Sequence, residues 1–559
     1  MNISAIQHSN STTMQCVLHN RDITLKIHTG KDIQSVQCVF GDPHAWVKIE
    51  DDYRWDYTSL AMTKVAETLT HFIFQVTITP KKYRLKYHFI LCDEQSCIQY
   101  GEDGFTPMNE VVGLWNNFFI PYVHPSMSVS SPSWVKDTIW YQIFPDRFNN
   151  GDSTNDPDVV VEWNSPDVNN RVSFGGDLKG IIDKLPYLNS LGINGIYLTP
   201  IFESPTAHKY DTIDYFTIDP WFGSLDDLKT LVNKAHDLGI KIMLDAVFNH
   251  TGRHFFAFED VLKNKEASPY KDWFHITSFE PFEYETFAST KNMPKINMHN
   301  KEARDYFVSV ATYWVKEADI DGWRFDVANE IDMAFLKEVH TQTRLIKPDI
   351  YLLGEIWHDA TPWLNNEVFD GVMNYPTGRA ILEFAQGSID ALAFTQRYMK
   401  TQHMVHPHIL ENMFTLLDSH DTPRLLHQLN HNVDAVKLAL TLLFLSTGSI
   451  CIYYGTETLL DGAHDPDNRR PMPWNQLNED YVEFISTLSK IRKEFASMTS
   501  SQSFDFVFEN DLLKLRFTKE PIECWINIQD RPTFVNVDDL ITKTYIVTLP
   551  PKGVLITQV

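Results

Sequence analysis

The sequence has few cysteines, no long apolar run and no recognisable leader. Six cysteines among 559 residues are too sparse for a disulfide scaffold and none belongs to a CxxC pair, so we expect reduced and mostly buried thiols. No stretch of 18 apolar residues suggests a membrane span. The first ten residues, MNISAIQHSN, lack the basic start and apolar core of a signal peptide, so we expect a cytoplasmic protein with no membrane partner.

Positive charge is also scarce. Lys and Arg number 48 against 73 Asp and Glu, which gives a net charge of −25. Proteins that bind nucleic acid or anionic lipid need basic surfaces, so this balance argues against both kinds of partner. The HExxH pattern, the P-loop and the dinucleotide-binding fingerprint are absent. Aromatic residues are plentiful at 13%, and their flat apolar faces suit a neutral, ring-shaped ligand.

The two ends of the chain have the alternating pattern of β-strands. Segments 24–28 and 72–78 alternate apolar and polar residues with period two, and short polar turns separate such segments. Residues 1–132 are therefore predicted to form an N-terminal β-sandwich of about seven strands. Residues 498–559 return to the same pattern and predict a small C-terminal β-domain.

Over 133–497, short apolar strands alternate with helical patterns, for example at 224–238 and 302–318. This alternation predicts a (β/α)8 TIM barrel, with a doubly wound open sheet as the alternative. Excess length after the third strand predicts an inserted lid at about 251–300, where no helical period is clear. The eight candidate strands are 138–144, 192–199, 241–248, 322–328, 350–356, 371–375, 413–418 and 448–454.

Charged residues cluster at the ends of the predicted strands, where the active sites of such barrels lie. Asp326, Glu355 and Asp421 bring carboxylates from three strands, a costly arrangement unless the charges are paired or used. Arg324 lies two residues before Asp326 on the same strand face and favours an ionised nucleophile there. The apolar neighbours of Glu355 favour a protonated acid. Cleavage of a glycosidic bond needs one attacking anion and one acid.

Four segments resemble the core motifs of the α-amylase family, glycoside hydrolase family 13. They are DAVFNH (245–250), GWRFDVANE (322–330), GEIW (354–357) and DSHDTPR (418–424). The resemblance covers 133–475 and implies a retaining enzyme. In that enzyme Asp326 is the nucleophile, Glu355 the general acid/base and Asp421 the stabiliser of the transition state. The carboxyl groups of Asp326 and Glu355 should then lie about 5–5.5 Å apart.

The same resemblance assigns residues that hold sugar rings. Tyr210 would stack on the sugar at subsite −1, and Trp357 would face the acceptor side. Arg324 would orient the nucleophile, while Asp465 would belong to the donor side. The full set of implied substrate-binding residues is Tyr210, His250, Arg324, Trp357, His420, Asp465 and Arg469.

The segment MPKIN (293–297) resembles the signature of the neopullulanase, cyclomaltodextrinase and maltogenic amylase branch. That branch implies hydrolysis of cyclodextrins, maltodextrins and pullulan, with some transglycosylation, and a homodimer. Two alternatives remain open. One is a related glucan transglycosylase, which shares all four motifs. The other is a catalytically silent scaffold, against which the intact Asp326, Glu355 and Asp421 argue.

A loop after the first predicted barrel strand is rich in oxygen donors. Oxygen donors without nitrogen or sulfur suit Ca²⁺, and the spacing is similar to the calcium site of that branch, so we expect a structural Ca²⁺ ion. The alternative is a polar turn in which Asn and Asp side chains cap the backbone. The candidate ligands are Asn150, Asp152, Asn155, Asp156, Gly175 and Asp177.

Overall fold

A computed structural model describes the chain except for positions 12, 19, 125–127, 167, 366, 502–503, 539–543 and 559, and except for the side chains of 536–538 and 544–546. Internal contacts divide the chain into two units. One unit comprises 1–130 with 389–410, and the other comprises 131–388 with 411–559. Within the described residues, no helix has the length and apolar character needed to cross a bilayer.

The first unit contains two antiparallel sheets whose apolar faces share one core, so the predicted N-terminal β-sandwich is confirmed. The expected number of about seven strands is too low, because several short strands and an exposed hairpin lack an apolar alternation. The first sheet has the order Gln15–Val17, Ile23–Thr29, Phe72–Ile78, Thr63–Glu67. The second has the order Gly104–Pro107, Cys97–Gly101, Leu85–Cys92, Ser35–Gly41, Thr58–Ala61, with Phe118–Ile120 also paired to Leu85–Cys92. The separate hairpin is Trp46–Ile49 with Asp52–Trp55, and the helices of the unit are Ala391–His403 and Pro407–Leu410.

Two of the six cysteines form a disulfide, which corrects the expectation of reduced thiols throughout. Cys92 and Cys97 lie directly opposite each other on adjacent antiparallel strands and are bonded. Opposed positions of such a ladder bring the two side chains close enough for a bond. The other four cysteines, as expected, are buried thiols: Cys16, Cys38, Cys451 and Cys524.

The second unit is built on eight parallel strands, and the predicted TIM barrel is confirmed. The strands run in the spatial order 6-5-4-3-2-1-8-7. A parallel bridge from Met373 to Phe414 joins the sixth strand's end to the seventh strand and closes the barrel. Each observed strand falls inside its predicted segment. In chain order they are Ile139–Ile143, Gly195–Leu198, Lys241–Ala246, Gly322–Phe325, Tyr351–Gly354, Gly371–Val372, Phe414–Leu416 and Ser449–Tyr453.

Helices cover the outside of the barrel, and side chains at their first turns explain where they begin. Ser224 accepts from the backbone N–H of Asp227, whose carboxylate in turn accepts from Ser224, so a capping box starts the second helix. The helices predicted at 224–238 and 302–318 are confirmed. The helices of this unit are Leu178–Ser190, Leu225–Asp237, Phe256–Asn264, Lys301–Ala318, Met333–Ile346, Tyr375–Gln386, Leu425–Gln428, Val433–Phe444 and Glu479–Glu494.

The segment 251–300 contains more regular structure than its sequence indicated. It forms the helix Phe256–Asn264 and the hairpin Ile276–Phe279 with Phe282–Tyr284. The helix was missed because aromatic residues stand on several of its faces and blur the helical period. The returning chain bridges Lys295 to His250 and so reaches the end of the third barrel strand.

The last residues form the C-terminal antiparallel sheet that the sequence predicted. Its strand order is Phe504–Glu509, Leu512–Phe517, Ile522–Asn527, Val554–Gln558, and a further hairpin pairs Thr533–Asp538 with Thr544–Leu549.

Inside the barrel, large apolar side chains such as Trp140, Tyr197 and Tyr351 are fully buried and fill the interior. The polar residues described next lie at the carboxyl ends of the strands, above this packed interior.

Candidate active site

Three carboxylates predicted from the sequence, and a fourth from Asp245 that the sequence did not assign to the chemistry, meet around one guanidinium. Arg324 stands on the fourth barrel strand, directly opposite Asp245 on the third. Asp326 follows the fourth strand and Glu355 follows the fifth, so each carboxylate is carried by the end of a rigid strand. The loop after the seventh strand supplies Asp421. The structure therefore brings together the residues to which the sequence assigned the chemistry.

Arg324 is completely buried and contacts every one of these carboxylates. One terminal nitrogen donates to Asp326 Oδ1 at 2.8 Å and to both oxygens of Asp245 at 3.0 Å. The other terminal nitrogen lies 2.8 Å from Glu355 Oε2 and 3.9 Å from Asp421 Oδ2. Burial by itself would lower the pKa of Arg324, but Asp245 and Glu355 raise it well above its ordinary value. The guanidinium is thus a permanent positive charge that holds the carboxylates side by side.

The ionisation of Asp326 differs from the sequence expectation, which took account of Arg324 alone. Burial raises the pKa of Asp326, Arg324 lowers it, and the carboxylates of Glu355, Asp245 and Asp421 raise it again, so the net pKa lies well above the usual range. Four carboxylates therefore share one guanidinium.

Glu355 is held by two hydrogen-bond donors. The backbone N–H of Val327 donates to Oε2 at 2.9 Å, and the indole N–H of Trp357 donates to Oε1 at 3.0 Å. The side chain is only 7% exposed. The apolar neighbour Leu353 packs into the barrel core. These contacts fix the orientation of the carboxyl group beside Asp326.

Trp357 offers an exposed aromatic face next to Glu355. Its ring is 48% exposed and stacks on Tyr375, with ring centroids 3.9 Å apart and planes 11° from parallel. Tyr375 was missed by the sequence reasoning, since it begins the helix after the sixth strand and no pattern links it to Trp357. The pair forms a rigid aromatic platform, which suits the apolar face of a sugar ring.

Tyr210 and His420 form a second wall of the site. Their rings are parallel, with centroids 5.3 Å apart. The Tyr210 hydroxyl donates to Asp245 Oδ2 at 2.9 Å and lies 2.5 Å from His420 Nε2. The amide nitrogen of Gln142 donates to His420 Nδ1 at 2.6 Å, which leaves the ring proton on Nε2. Gln142 was not assigned from the sequence, although a glutamine inside the buried first strand is a recognisable signal.

His250 lies beside the same wall. Its Nε2 is 3.2 Å from the carbonyl oxygen of Tyr210, and its ring stacks on Phe287 from the inserted segment at 5.0 Å. Burial lowers the pKa of His250 to about 4. Burial and the charges of Arg469 and Arg324 lower the pKa of His420 well below its ordinary value. Both imidazoles are therefore neutral near pH 7, so each can donate one hydrogen bond and accept another.

Arg469 joins the predicted donor-side residues to the cluster. Its Nε donates to the carbonyl of His420 at 3.0 Å, and one terminal nitrogen lies 2.9 Å from Asp465 Oδ1. The other terminal nitrogen lies 3.9 Å from Asp421 Oδ1. All ten predicted catalytic and substrate-binding residues therefore lie in one connected network at the barrel mouth. The expected separation of the Asp326 and Glu355 carboxyl groups stays a prediction.

The candidate calcium ligands lie together in the loop after the first strand and at the start of the helix Leu178–Ser190. Asn155 Oδ1 is shielded from solvent and has no hydrogen-bond partner among the described residues. Asn150 lies against Asp156, with 2.8 Å between the amide nitrogen and Oδ1, and an amide flip would present an oxygen instead. Gly175 has φ of +77°, and a Cβ there would collide with Asp156. The donor set therefore fits Ca²⁺.

Asp177 has a second task in this loop. Its carboxylate accepts from the backbone N–H groups of Gly151, Asp152 and Gly180 at 3.0, 2.9 and 2.6 Å. It therefore caps the helix and braces the loop, as the polar-turn alternative required. Asp152 in turn pairs with Lys179 at 3.2 Å.

Comparison with known proteins places these features in a family context. Residues 142–520 match the family described as "Alpha amylase, catalytic domain", and 1–124 match "Alpha amylase, N-terminal ig-like domain". A cyclomaltodextrinase of Geobacillus thermopakistaniensis (strain MAS1) is 44% identical over 89% of this chain and 86% of its own length. An intracellular maltogenic amylase of Bacillus subtilis is 43% identical over 88% and 85%. A solved cyclomaltodextrinase structure superposes with a TM-score of 0.90 and 38% identity, covering 97% of this chain and 94% of that one.

Proposed function

The chain belongs to the α-amylase family, and is an α-glucan hydrolase of its cyclomaltodextrinase, maltogenic amylase and neopullulanase branch; from its site we propose how it cleaves the α-1,4-glucosidic bond and which glucans it prefers. The observation that carries the proposal is the arrangement of Asp326, Glu355 and Asp421 around the buried Arg324.

In the first step Asp326 attacks the anomeric carbon while Glu355 donates its proton to the departing glycosidic oxygen. The carbon–oxygen bond to the leaving sugar breaks as the bond to Asp326 forms. In the second step Glu355 takes a proton from water, the water oxygen attacks the same carbon, and the bond to Asp326 breaks. Two inversions at one carbon retain the α configuration. Asp421 adds negative charge where the sugar becomes positive.

We propose cyclodextrins and short maltodextrins as the preferred substrates. The similar proteins named cyclomaltodextrinase support this choice, as does the platform of Trp357 and Tyr375 beside Glu355. A time course with β-cyclodextrin, soluble starch and pullulan at equal mass tests it, with Asp326→Asn as the inactive control. Opening of β-cyclodextrin should be fastest. Faster cleavage of starch or pullulan would refute the preference, and transfer products would reveal the transglycosylation.

We propose a homodimer formed through the N-terminal unit. Trp46, Tyr53 and Tyr57 are all exposed on or next to one hairpin, and exposed aromatic groups of this kind mark interaction surfaces. Size-exclusion chromatography with light scattering should give twice the mass of the chain for the wild-type protein and a smaller mass for Trp46→Lys. A monomeric wild-type protein at assay concentration would contradict the proposal.

We propose a cytoplasmic location. The intracellular maltogenic amylase among the similar proteins supports the location. The Cys92–Cys97 bond argues the other way, because disulfides persist mainly in oxidising compartments. Fractionation of the native cells tests this location: activity in the cytosolic fraction supports the proposal, and activity outside that fraction refutes it.

We also propose a structural Ca²⁺ ion in the loop of Asn150, Asn155 and Asp156. Ca²⁺ would tie the loop to the helix that Asp177 caps, and would take no part in bond cleavage.

A further inference from the structure

A cluster of two histidines and one aspartate lies outside the catalytic network. His427 belongs to the short helix Leu425–Gln428, His431 follows that helix, and Asp461 comes from the loop after the eighth strand. One ligand atom from each of the three lies within 4.8 Å of the other two. The backbone N–H of His431 donates to the carbonyl of Leu426 at 2.9 Å, and this turn brings His431 back beside His427.

The polar atoms of this cluster lie close to one another, but not all of them form a hydrogen bond. His427 Nδ1 lies 3.3 Å from Asp461 Oδ1, and His431 Nε2 lies 3.1 Å from Asp461 Oδ2. Yet His427 Nδ1 and Asp461 Oδ1 are shielded from solvent and have no hydrogen-bond partner among the described residues. Leaving a buried donor or acceptor unpaired is costly. Two such atoms pointing at the same space are what a shared ligand would satisfy.

The spacing and the chemistry select the kind of ligand. A tetrahedral Zn²⁺ ion with bonds of about 2.0–2.1 Å places its donor atoms about 3.3 Å apart. The separation of 3.3 Å between His427 Nδ1 and Asp461 Oδ1 matches that value. His431 Nε2 lies 3.1 Å from the other oxygen of the same carboxylate, and one ligand atom of each residue lies within 4.8 Å of the other two. Two imidazole nitrogens and one carboxylate oxygen suit zinc and related ions, and unlike the oxygen donors of the Asn155 loop they do not suit calcium. We propose that His427, His431 and Asp461 form a binding site for a divalent transition-metal ion such as Zn²⁺.

The site would join two loops of the barrel mouth. The loop after the seventh strand carries Asp421 and leads into His427, whereas the loop after the eighth strand carries Asp461 and leads to Asp465. The backbone N–H of Arg424 already donates to the carbonyl of Gly462 at 2.9 Å between the same loops. A bound ion adds a stronger link at this place. Zinc bound here should therefore raise the stability of the fold, and three protein ligands would leave the fourth position of a tetrahedral ion for water.

Isothermal titration calorimetry with Zn²⁺ tests the proposal on the full-length protein without a histidine tag. Calcium is kept in constant excess, so that the Asn155 loop does not contribute to the signal. One Zn²⁺ ion should bind per chain and should raise Tm. His431→Ala and Asp461→Ala should each lower the affinity at least about tenfold, the loss that even a change in the outer shell of a metal site can cause.

His254→Ala is the matched control. His254 pairs with Glu259 at 2.9 Å in an exposed histidine–carboxylate contact without a third ligand among the described residues, so its loss should leave zinc affinity unchanged. If His431→Ala or Asp461→Ala unfolds below the temperature of the titration, His427→Gln is used in its place. Absence of saturable binding by the wild-type protein would overturn the proposal. Binding that survives unchanged in His431→Ala, Asp461→Ala and His427→Gln would overturn it as well.

Discussion

Replacing Arg324 by lysine keeps the positive charge of the site but removes its fork. One terminal nitrogen of Arg324 donates to Asp326 and Asp245, while the other lies 2.8 Å from Glu355. The single ammonium group of lysine is more compact than the guanidinium and cannot contact Asp326 and Glu355 at the same time. Hydrogen bonds to charged groups contribute about 1.5–3 kcal/mol each. The loss of the hydrogen bonds to Asp326 and Asp245 in the transition state should lower kcat/KM by about 10²- to 10⁴-fold.

The assay is the initial rate of β-cyclodextrin opening, measured together with thermal unfolding. Arg492→Lys is the control, because Arg492 is equally buried but donates to the carbonyls of Phe444 and Ser446, away from the carboxylates. It should lower Tm and leave the activity of the folded protein near that of the wild type. If Arg324→Lys retained more than about a tenth of the wild-type kcat/KM, the two-sided hold on Asp326 and Glu355 would not be part of the mechanism.

Three further perturbations test other parts of the account. Glu355→Gln should spare aryl glycosides with good leaving groups much more than natural glucans, since such groups need little acid help; equal losses on both substrates would exclude its acid role. Removal of calcium by EDTA should lower Tm, and an excess of Ca²⁺ should restore it in the wild-type protein but not in Asn155→Ala; a Tm that EDTA does not change would refute the calcium site. Burial lowers the pKa of His8 from 6.5 to about 4 in the folded protein. At pH values between 4 and 6.5 His8 takes up a proton only in the unfolded chain, which lowers the free energy of unfolding. Burial of neutral His8 therefore costs no stability above pH 6.5, and the free energy of unfolding falls by about 1.4 kcal/mol per pH unit from there towards pH 4. His8→Gln should therefore flatten the dependence of Tm on pH in that window, and an unchanged slope would contradict the burial of a neutral imidazole.

The barrel and its catalytic residues could be predicted because their signals are local. Each barrel strand is a short apolar run whose last residues carry the chemistry, as at Arg324 and Asp326, so strand order alone places the carboxylates at one rim. The aromatic platform could not be predicted, because Trp357 and Tyr375 follow different strands and meet only through the curvature of the barrel. Gln142 could have been identified from the sequence, since a polar side chain in a buried strand needs a hydrogen-bond partner.

The electrostatics of the site and the disulfide show what local reasoning omits. Asp326 has Arg324 close in sequence, but the carboxylate of Asp245 that shares this guanidinium comes from the neighbouring strand. Burial and the carboxylates of Glu355 and Asp245, which come from other strands, raise the pKa of Asp326, whereas the near charge of Arg324 lowers it. Similarly, the number of cysteines says nothing about register, and only the hairpin pairing sets Cys92 opposite Cys97.

The role of Asp326 as a covalent nucleophile is tested most directly by trapping the glycosyl–enzyme intermediate. A 5-fluoro-maltosyl fluoride forms this intermediate faster than water removes it, and peptide mass spectrometry then locates the sugar. The sugar should be found on Asp326, and Asp326→Asn should remain unlabelled under the same conditions. A sugar attached to another carboxylate, or turnover to a product of inverted configuration without any labelled peptide, would contradict the mechanism.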